Sequence, residues 1–192
     1  SSLCAWRLDA NPNSRPLLTL VRGADLSSQQ MASLYGPYRS KNQAVSLLRE
    51  LADKHGLCLQ ALGLESGKGR CFAYQIGHCK GVCCGEEAPE RHHLRLQMAL
   101  SAEKLRTWPF AGPVGLREHN PLNGLSDIHV FDQWRHLATV HSDAELAEVL
   151  QDSQRSLAFD LDTYRLALKY LMQTGKAGAQ LIDFQNLGKS RP

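Results

Sequence analysis

The chain has 192 residues, of which 43% are hydrophobic and 21% charged, a typical globular composition with enough apolar residues for one core or two small ones. Its formal net charge of +3 permits a nucleic-acid partner without requiring one. No apolar run approaches the roughly 18–20 residues of a membrane helix, and the first residues lack a signal-peptide pattern. These features exclude no enzyme or binding class, but they predict a cytoplasmic protein without a membrane partner.

The first 22 residues have the pattern of a β-hairpin. Apolar and polar residues alternate over 3–8, residues 11–13 have turn chemistry, and 16–22 is a second apolar run. Because the chain opens directly on a strand-like run without an initiator methionine, we expect it to be a piece of a longer protein.

A predicted helix follows an aromatic segment. Residues 35–38 have the sequence Tyr-Gly-Pro-Tyr, which predicts a turn. Ser40 then precedes Gln43 by three residues, in capping-box spacing, and apolar residues recur at helical spacing until Gly56. The sequence therefore predicts a helix from about residue 41 to residue 55.

The segment 56–85 contains five of the six cysteines and seven glycines, but no sustained hydrophobic period. Such a segment favours backbone folded around a ligand. Four soft thiolates suit a four-iron, four-sulfur cluster or a structural zinc ion. Because the spacing lacks the paired CxxC knuckles of zinc ribbons, we predict a 4Fe-4S cluster, with zinc as the alternative. Free cysteines packed as small hydrophobes are the alternative without a metal. The predicted ligands are Cys58, Cys71, Cys79 and Cys83.

A second helix is predicted over residues 86–105. It carries a basic side that includes Arg95, and Trp108-Pro109 ends it. His92 and His93 lack a ligand partner at helical spacing, so we expect both on the surface.

The remaining residues predict a small antiparallel meander with helices. Strand-like runs cover 113–119, 128–133 and 135–140, and 179–184 resembles a closing strand. Capping-box spacing at Ser142 opens one helix, and a further helix begins near residue 160.

These elements together predict an α+β fold: an N-terminal hairpin and helix, a cysteine-rich metal-binding segment, then a small antiparallel sheet with helices. The predicted domains are 1–107 and 108–192.

Acidic and histidine side chains of the second half offer weaker candidates. Aspartates and Glu118 could form a two-metal nuclease site, but helix caps and solvated strand positions are the simpler interpretation. The histidines of the meander form no convincing base-and-nucleophile pair in sequence. These residues are Glu118, Asp127, Asp132, Asp160, Asp162, His119, His129, His136 and His141.

Basic residues of the first half are interleaved with aromatics. Such a surface can hold phosphates and stack on unpaired bases, although a solvated basic face is equally consistent with the pattern. The candidate DNA contacts are Tyr38, Arg39, Lys41, Lys68, Arg70 and Lys80.

The order of three features resembles the UvrC-type excinucleases of bacterial nucleotide-excision repair. They are the aromatic segment 35–40, Cys58, and the segment 70–83 with its three remaining cysteines. In that family the segment follows a GIY-YIG nuclease domain and its four cysteines hold a 4Fe-4S cluster. The resemblance favours DNA contact over a merely solvated basic face.

The second half adds a resemblance to the short UvrC homologues called Cho, and to GIY-YIG proteins fused behind an epsilon-type 3'-5' exonuclease. It rests on residues 108–112, Trp134 and residues 158–164. No GIY or YIG tripeptide precedes Cys58, so the resemblance implies a DNA-binding, structural portion without catalytic residues.

The implied partners are damaged or single-strand-containing DNA and other excision-repair proteins, with the oligomeric state left open. A redox-active iron-sulfur or structural zinc module without nucleic-acid binding is the alternative.

Overall fold

The structure is a computed structural model, and it describes residues 3–9, 18–22, 26, 28–152, 159–172 and 179–184. The chain divides into two compact units. The first unit comprises Ser1–Gly23 and Gln29–Leu105. The second unit comprises Ala24–Ser28 and Arg106–Pro192.

The first unit contains a three-stranded antiparallel sheet in the order β2-β1-β3. The strands are β1 (Cys4–Leu8), β2 (Leu18–Arg22) and β3 (Leu34–Tyr38). Pairing of β1 with β2 confirms the hairpin, whose predicted turn at 11–13 lies outside the described residues.

The aromatic segment was predicted wrongly as a turn, because β3 pairs with β1. Tyr38 lies opposite Cys4, and Tyr35 lies opposite Trp6. The register of the pairing shifts between these two pairs. Gly36 and Pro37, which are linked by a cis peptide bond, lie at this irregularity. Long-range pairing therefore overrides a local turn signal.

Helix α1 (Lys41–His55) begins and ends as predicted. The Ser40 hydroxyl accepts from the Gln43 N–H at 3.2 Å, and Gly56 ends the helix in the left-handed conformation at φ 63°. The side chains that α1 buries recur every four residues, as expected for an amphipathic helix. They are Ala44, Leu48 and Ala52.

The cysteine-rich segment contains only short helical pieces, as predicted: α2 (Phe72–Gln75) and a 3-10 turn at Val82–Cys84. Helix α3 (Pro89–Leu100) follows, and a 3-10 turn at Ser101–Glu103 extends it. The ordered helix is thus shorter than the predicted 86–105.

The surface position predicted for His92 and His93 is wrong, because both are buried, with 0% and 5% of their surface exposed. His92 lies four residues before Leu96 and eight before Leu100, on the face of α3 that packs in the core of the first unit. Its imidazole satisfies a buried peptide group, described below.

The second unit contains a four-stranded antiparallel sheet in the order β6-β5-β4-β7. The strands are β4 (Val114–His119), β5 (Ser126–Asp132), β6 (Arg135–Val140) and β7 (Ala179–Asp183). The predicted meander and closing strand are therefore confirmed.

Two helices complete the second unit, α4 (Asp143–Gln151) and α5 (Leu161–Met172). Buried aromatic rings of Trp134 and Tyr164 pack edge to face, with centroids 5.1 Å apart. The Tyr164 hydroxyl accepts from the Arg106 N–H at 2.9 Å, which satisfies this buried polar group.

The predicted α+β class is confirmed, with two antiparallel sheets, five helices and a cysteine cluster among the described residues. Within the same ranges, no helix combines the length and apolarity needed to cross a bilayer.

Candidate metal centre

Four cysteine sulfurs converge in the first unit, all within 4.8 Å of one another. Three of these cysteines are buried and Cys83 is half-buried. Cys58 lies just beyond the end of α1. Cys71 directly precedes α2, Cys79 follows α2, and Cys83 lies in the 3-10 turn Val82–Cys84. The structure thus brings together the set predicted from spacing: Cys58, Cys71, Cys79 and Cys83.

The end of α1 positions Cys58. After the left-handed Gly56, the Leu57 N–H returns to the Ala52 carbonyl at 2.9 Å, a tight helix end that directs the chain inward. The Cys58 N–H then donates to Nε2 of His92 at 3.0 Å. A residue on α3 therefore holds the first candidate ligand in place.

His92 suits this role because it is neutral. Burial lowers its pKa to about 4, with the nearby charges of Glu87, Arg95 and His93 as smaller influences. A neutral imidazole that accepts at Nε2 carries its hydrogen on Nδ1. This buried Nδ1 has no hydrogen-bond partner among the described residues.

Peptide N–H groups are directed at two of the sulfurs. Cys71 caps α2, and its sulfur accepts from the Tyr74 N–H at 3.3 Å. The Cys79 sulfur accepts from the Gly81 N–H, also at 3.3 Å. Such donors stabilise negative charge on sulfur, as a metal-bound thiolate requires.

Gly81 lies at a closely packed point of the cysteine segment. Its φ is +91°, and a Cβ there would lie 2.7 Å from Glu86 Cβ and 2.8 Å from a ring carbon of Tyr74. Its carbonyl accepts from the N–H groups of Cys84 and Glu86, at 3.1 and 3.0 Å. Only glycine fits this position without displacing its neighbours.

The thiols differ in acidity. Burial raises the pKa of Cys58 to about 11, and burial likewise raises the pKa of Cys79. Burial alone would also raise the pKa of Cys71, but the Tyr74 N–H and hydrogen bonds from the neighbouring thiols outweigh it, so that pKa is lowered. Metal binding at this site must therefore release protons from buried thiols, which makes affinity pH-dependent.

The donor set fits a group that takes four thiolates, because soft metals prefer sulfur ligands. Zinc–sulfur bonds of about 2.3 Å in a tetrahedron place the sulfurs about 3.8 Å apart. Cys58 and Cys71 are separated by 4.0 Å between sulfurs, close to that value. A four-iron cluster needs wider separations, since irons and sulfides lie between the cysteine sulfurs. The four cysteines can therefore bind a metal, and the sulfurs would have to move apart to hold the larger group.

An ion pair supports the segment from outside. Arg95 donates to Glu87 from Nε at 2.9 Å and from a terminal nitrogen at 2.7 Å, and it also donates to the carbonyls of His55 and Gly56. This guanidinium ties the end of the cysteine segment to the end of α1. Sequence reasoning placed Arg95 on a solvated basic side, because nothing local marks Glu87 as its partner.

The predicted DNA contacts do not form one patch. Tyr38 is only 3% exposed and its hydroxyl contacts Glu103 at 3.3 Å, so its ring is not available to stack on a base, and its assignment as a contact is corrected. The five basic residues are exposed but fall into two groups. Arg39 and Lys41 lie at the start of α1, which has 15 residues and is roughly 20 Å long. This length separates them from basic residues near the other end of the helix.

The second group of basic residues surrounds the cysteines. Lys68 and Arg70 precede Cys71 in sequence. Lys80 follows Cys79, and its Cγ lies 3.6 Å from the position that a Cβ on Gly56 would take. This second group therefore adjoins the candidate metal centre.

Sequence reasoning missed the apolar side chains of this surface. Phe72 is 68% exposed and Ile76 is 52% exposed, although both are large hydrophobes. The guanidinium of Arg70 lies 5.6 Å from the centre of the Tyr74 ring, a cation–π contact. The sequence offered one signal of this surface: Phe72 directly follows Cys71 in a basic, glycine-rich segment.

The alternative acidic candidates have structural partners. Asp160 accepts from the Thr163 N–H at 3.0 Å and so caps α5. Asp127 pairs with His141 at 2.6 Å, and Glu118 pairs with His129 at 3.2 Å. Over the described ranges, the four cysteines are the one group of three or more side chains arranged to hold a metal.

Comparison with known proteins gives two family matches and several relatives. Residues 3–102 match the family described as "UvrC/Cho excinuclease, middle domain", and residues 113–187 match "Excinuclease Cho C-terminal domain". The chain is 35% identical over 172 residues to the excinuclease cho of Salmonella typhi, covering 88% of this chain and 55% of that relative. It is 30% identical to the excinuclease cho of Escherichia coli (strain K12), with the same coverage.

The chain therefore spans about half the length of the curated relatives it matches. No solved structure matches it. Because one family match covers more than half of the chain, and the relatives align over most of it, the chain belongs to the UvrC/Cho excinuclease family.

Proposed function

We propose that this chain is the DNA-binding, non-catalytic portion of an excision-repair endonuclease, and that its four cysteines hold a 4Fe-4S cluster. The observation that carries the proposal is the convergence of four cysteine sulfurs beside exposed basic and aromatic side chains. The choice of an iron-sulfur cluster over zinc rests on the family resemblance. In this proposal the nuclease residues lie in a GIY-YIG domain outside this chain, and the protein acts on damaged or single-strand-containing DNA in the cytoplasm. Fusion to an epsilon-type exonuclease stays a prediction of the resemblance.

The metal centre has a structural role in this proposal. The cysteine segment has its own small core, made of cysteines and a few partly buried neighbours rather than of large apolar side chains. A cluster bound there supplies the cross-link between four thiolates that such a core lacks, and its binding free energy becomes folding free energy. Peptide donors at Tyr74 and Gly81 offset part of the negative charge on sulfur.

The DNA-contacting surface in this proposal is the one that adjoins the cysteines. Lys68, Arg70 and Lys80 are exposed and neutralise phosphates, which makes affinity fall with salt. Phe72 stacks on an unpaired base, in the role first assigned to Tyr38. Folding of the cysteine segment fixes these side chains relative to one another, so loss of metal weakens DNA binding.

Zinc is the second candidate, and the sulfur separations favour it. A 4.0 Å separation between Cys58 and Cys71 matches a single tetrahedral ion better than a four-iron core. Under this alternative the centre has the same structural role and the DNA surface is unchanged. A redox module without DNA binding is the remaining alternative, and it predicts a reversible redox couple with weak, salt-insensitive DNA affinity.

The experiment combines metal analysis with DNA binding. Protein purified without oxygen is assayed for iron, sulfide and zinc, and fluorescence anisotropy gives its affinity for single-stranded DNA over a range of salt concentrations. Lys68→Ala should reduce the salt slope by about one, whereas the matched Lys169→Ala in α5 should not. Phe72→Ala should weaken binding by about 1–3 kcal/mol, and Phe72→Leu tests whether the ring itself is needed. Unchanged affinity in both Lys68 and Phe72 variants would contradict the DNA surface.

A further inference from the structure

A cavity of about 360 Å³ opens in the second unit between the sheet and α5. This volume lies within the roughly 300–1,000 Å³ of small-molecule sites. Apolar side chains from both sides form most of its wall: Leu116, Phe131, Leu166 and Tyr170. The wall can therefore accept a flat apolar ring face.

A string of hydrogen bonds links polar side chains on the sheet side of the cavity. Nε2 of His129 lies 3.2 Å from a carboxylate oxygen of Glu118, and its Nδ1 lies 2.8 Å from the Thr139 hydroxyl. Nε2 of His136 lies 3.1 Å from the same hydroxyl. Four side chains from three strands are thereby held in fixed orientations.

The Glu118 carboxylate determines which atoms donate and which accept in these hydrogen bonds. Because a carboxylate only accepts, Nε2 of His129 donates to Glu118, and in the tautomer with its single hydrogen on Nε2 the ring accepts at Nδ1 from the Thr139 O–H. The hydroxyl oxygen then accepts from His136. Oε1 of Glu118, the second carboxylate oxygen, makes no hydrogen bond within the described ranges, so it is available to a ligand donor.

The lining identifies the chemistry of the ligand. Among the residues that the structure describes, no lysine or arginine lines the cavity, and Glu118 places negative charge there, which disfavours phosphate and carboxylate ligands. Flat apolar walls with a carboxylate acceptor at the edge suit a neutral heteroaromatic ring that carries an amino group. Glutamate accepting from the amino group of cytosine is a known base contact.

We propose that this cavity binds one unstacked nucleobase that carries an exocyclic amino group, such as cytosine, which donates to Glu118 and packs against Tyr170. The proposal rests on the DNA binding proposed above, since a chain that binds single-strand-containing DNA would meet unstacked bases. It assigns the second unit a part in reading DNA structure.

The β4–β5 hairpin supports this assignment. Leu122 at its tip is 95% exposed, and the Asn120 side chain accepts from the Leu122 N–H at 2.9 Å. Asn123 holds the far side of the tip by accepting from the Leu125 N–H at 3.0 Å. A fixed apolar tip four residues from Glu118 can separate a base step, as apolar wedges do in other DNA-binding proteins.

Nucleosides test the cavity without requiring DNA binding. Deoxycytidine, thymidine and deoxyribose are titrated into the full, metal-loaded chain, and the imidazole resonances of His129 and His136 are followed by NMR. Deoxycytidine should shift both resonances to saturation, thymidine should bind more weakly because it lacks the amino group, and deoxyribose should have no effect. No shift with any nucleoside would overturn the proposal.

Matched variants locate the contact. Glu118→Ala should weaken deoxycytidine binding about tenfold, whereas Glu148→Ala, which removes the same charge from exposed α4, should not. Tyr170→Ala should weaken binding and Tyr170→Phe should restore it, since the ring forms the wall. Equal effects of the two glutamate variants would refute the assigned contact.

DNA duplexes separate this proposal from the proposed function. The chain should prefer a duplex with one unpaired cytosine over the same duplex with an abasic site. Lys68→Ala should weaken both complexes equally, whereas Glu118→Ala should remove only the preference. Nucleoside binding without DNA binding would contradict the proposed function and support the cavity; DNA binding without nucleoside shifts would do the reverse.

Discussion

Replacing Gly81 by alanine should damage the cysteine segment more than any comparable glycine change. The φ of +91° imposes a backbone cost of about 1–2 kcal/mol on a residue with a Cβ. The new Cβ would also lie 2.7 Å from Glu86 Cβ and 2.8 Å from the Tyr74 ring, and overpacking of this kind costs about 1–3 kcal/mol. Together they predict a loss of about 2–5 kcal/mol.

Gly85 provides the matched control. Its φ is +83°, and a Cβ there would meet no atom within 4 Å. Gly85→Ala should therefore carry only the backbone cost, about 1–2 kcal/mol. The difference between the two variants isolates the steric contact with Tyr74 and Glu86.

Hydrogen-exchange mass spectrometry of peptides covering residues 57–86 measures this loss, because it reports the free energy of local opening. Each 1.4 kcal/mol corresponds to a tenfold change in exchange rate. Metal release to a chelator should also be faster in Gly81→Ala than in Gly85→Ala. Equal exchange in the two variants would refute the close packing around Gly81.

Three further predictions concern polar groups within each unit. His92→Leu leaves a buried peptide N–H without its acceptor and should lower the opening free energy of the segment after α1 by about 1–3 kcal/mol in hydrogen exchange, with His92→Gln less affected. Tyr164→Phe removes the acceptor of the Arg106 N–H and should cost about 0.5–1.5 kcal/mol in urea unfolding followed by tryptophan fluorescence; no change would contradict that bond. Burial lowers the pKa of the His136 side chain, and the charge of His129 lowers it further. As the pH falls below about 6.5, His136 is therefore protonated in the unfolded chain before it is protonated in the folded chain. The unfolding free energy of the second unit should fall in that range, and His136→Gln should show a shallower slope.

Elements with local signals were predictable from the sequence. Ser40 and Gly56 mark the ends of α1 because capping chemistry acts within one helical turn. The cysteine set was predictable because four soft ligands within 26 residues have few alternative uses. The fold class follows from such signals, whose physical causes lie within a few residues of one another.

Features that depend on distant partners were not predictable. Tyr38 is buried because β3 pairs with β1, more than thirty residues earlier, and no local pattern announces that pairing. His92 is buried because the Cys58 N–H, 34 residues away, needs an acceptor. Phe72 is exposed although its type is usually buried, and the proposed DNA surface would give this exposed ring a use.

The most direct test of the central claim is the iron, sulfide and zinc content of the intact chain purified without oxygen, compared with Cys79→Ser. A bound 4Fe-4S cluster predicts about four irons and four sulfides per chain, with a visible absorption band, and loss of both in the variant. One zinc per chain would contradict the iron-sulfur assignment but retain the structural centre. Folded, metal-free protein with four free thiols at this site would contradict the metal centre itself.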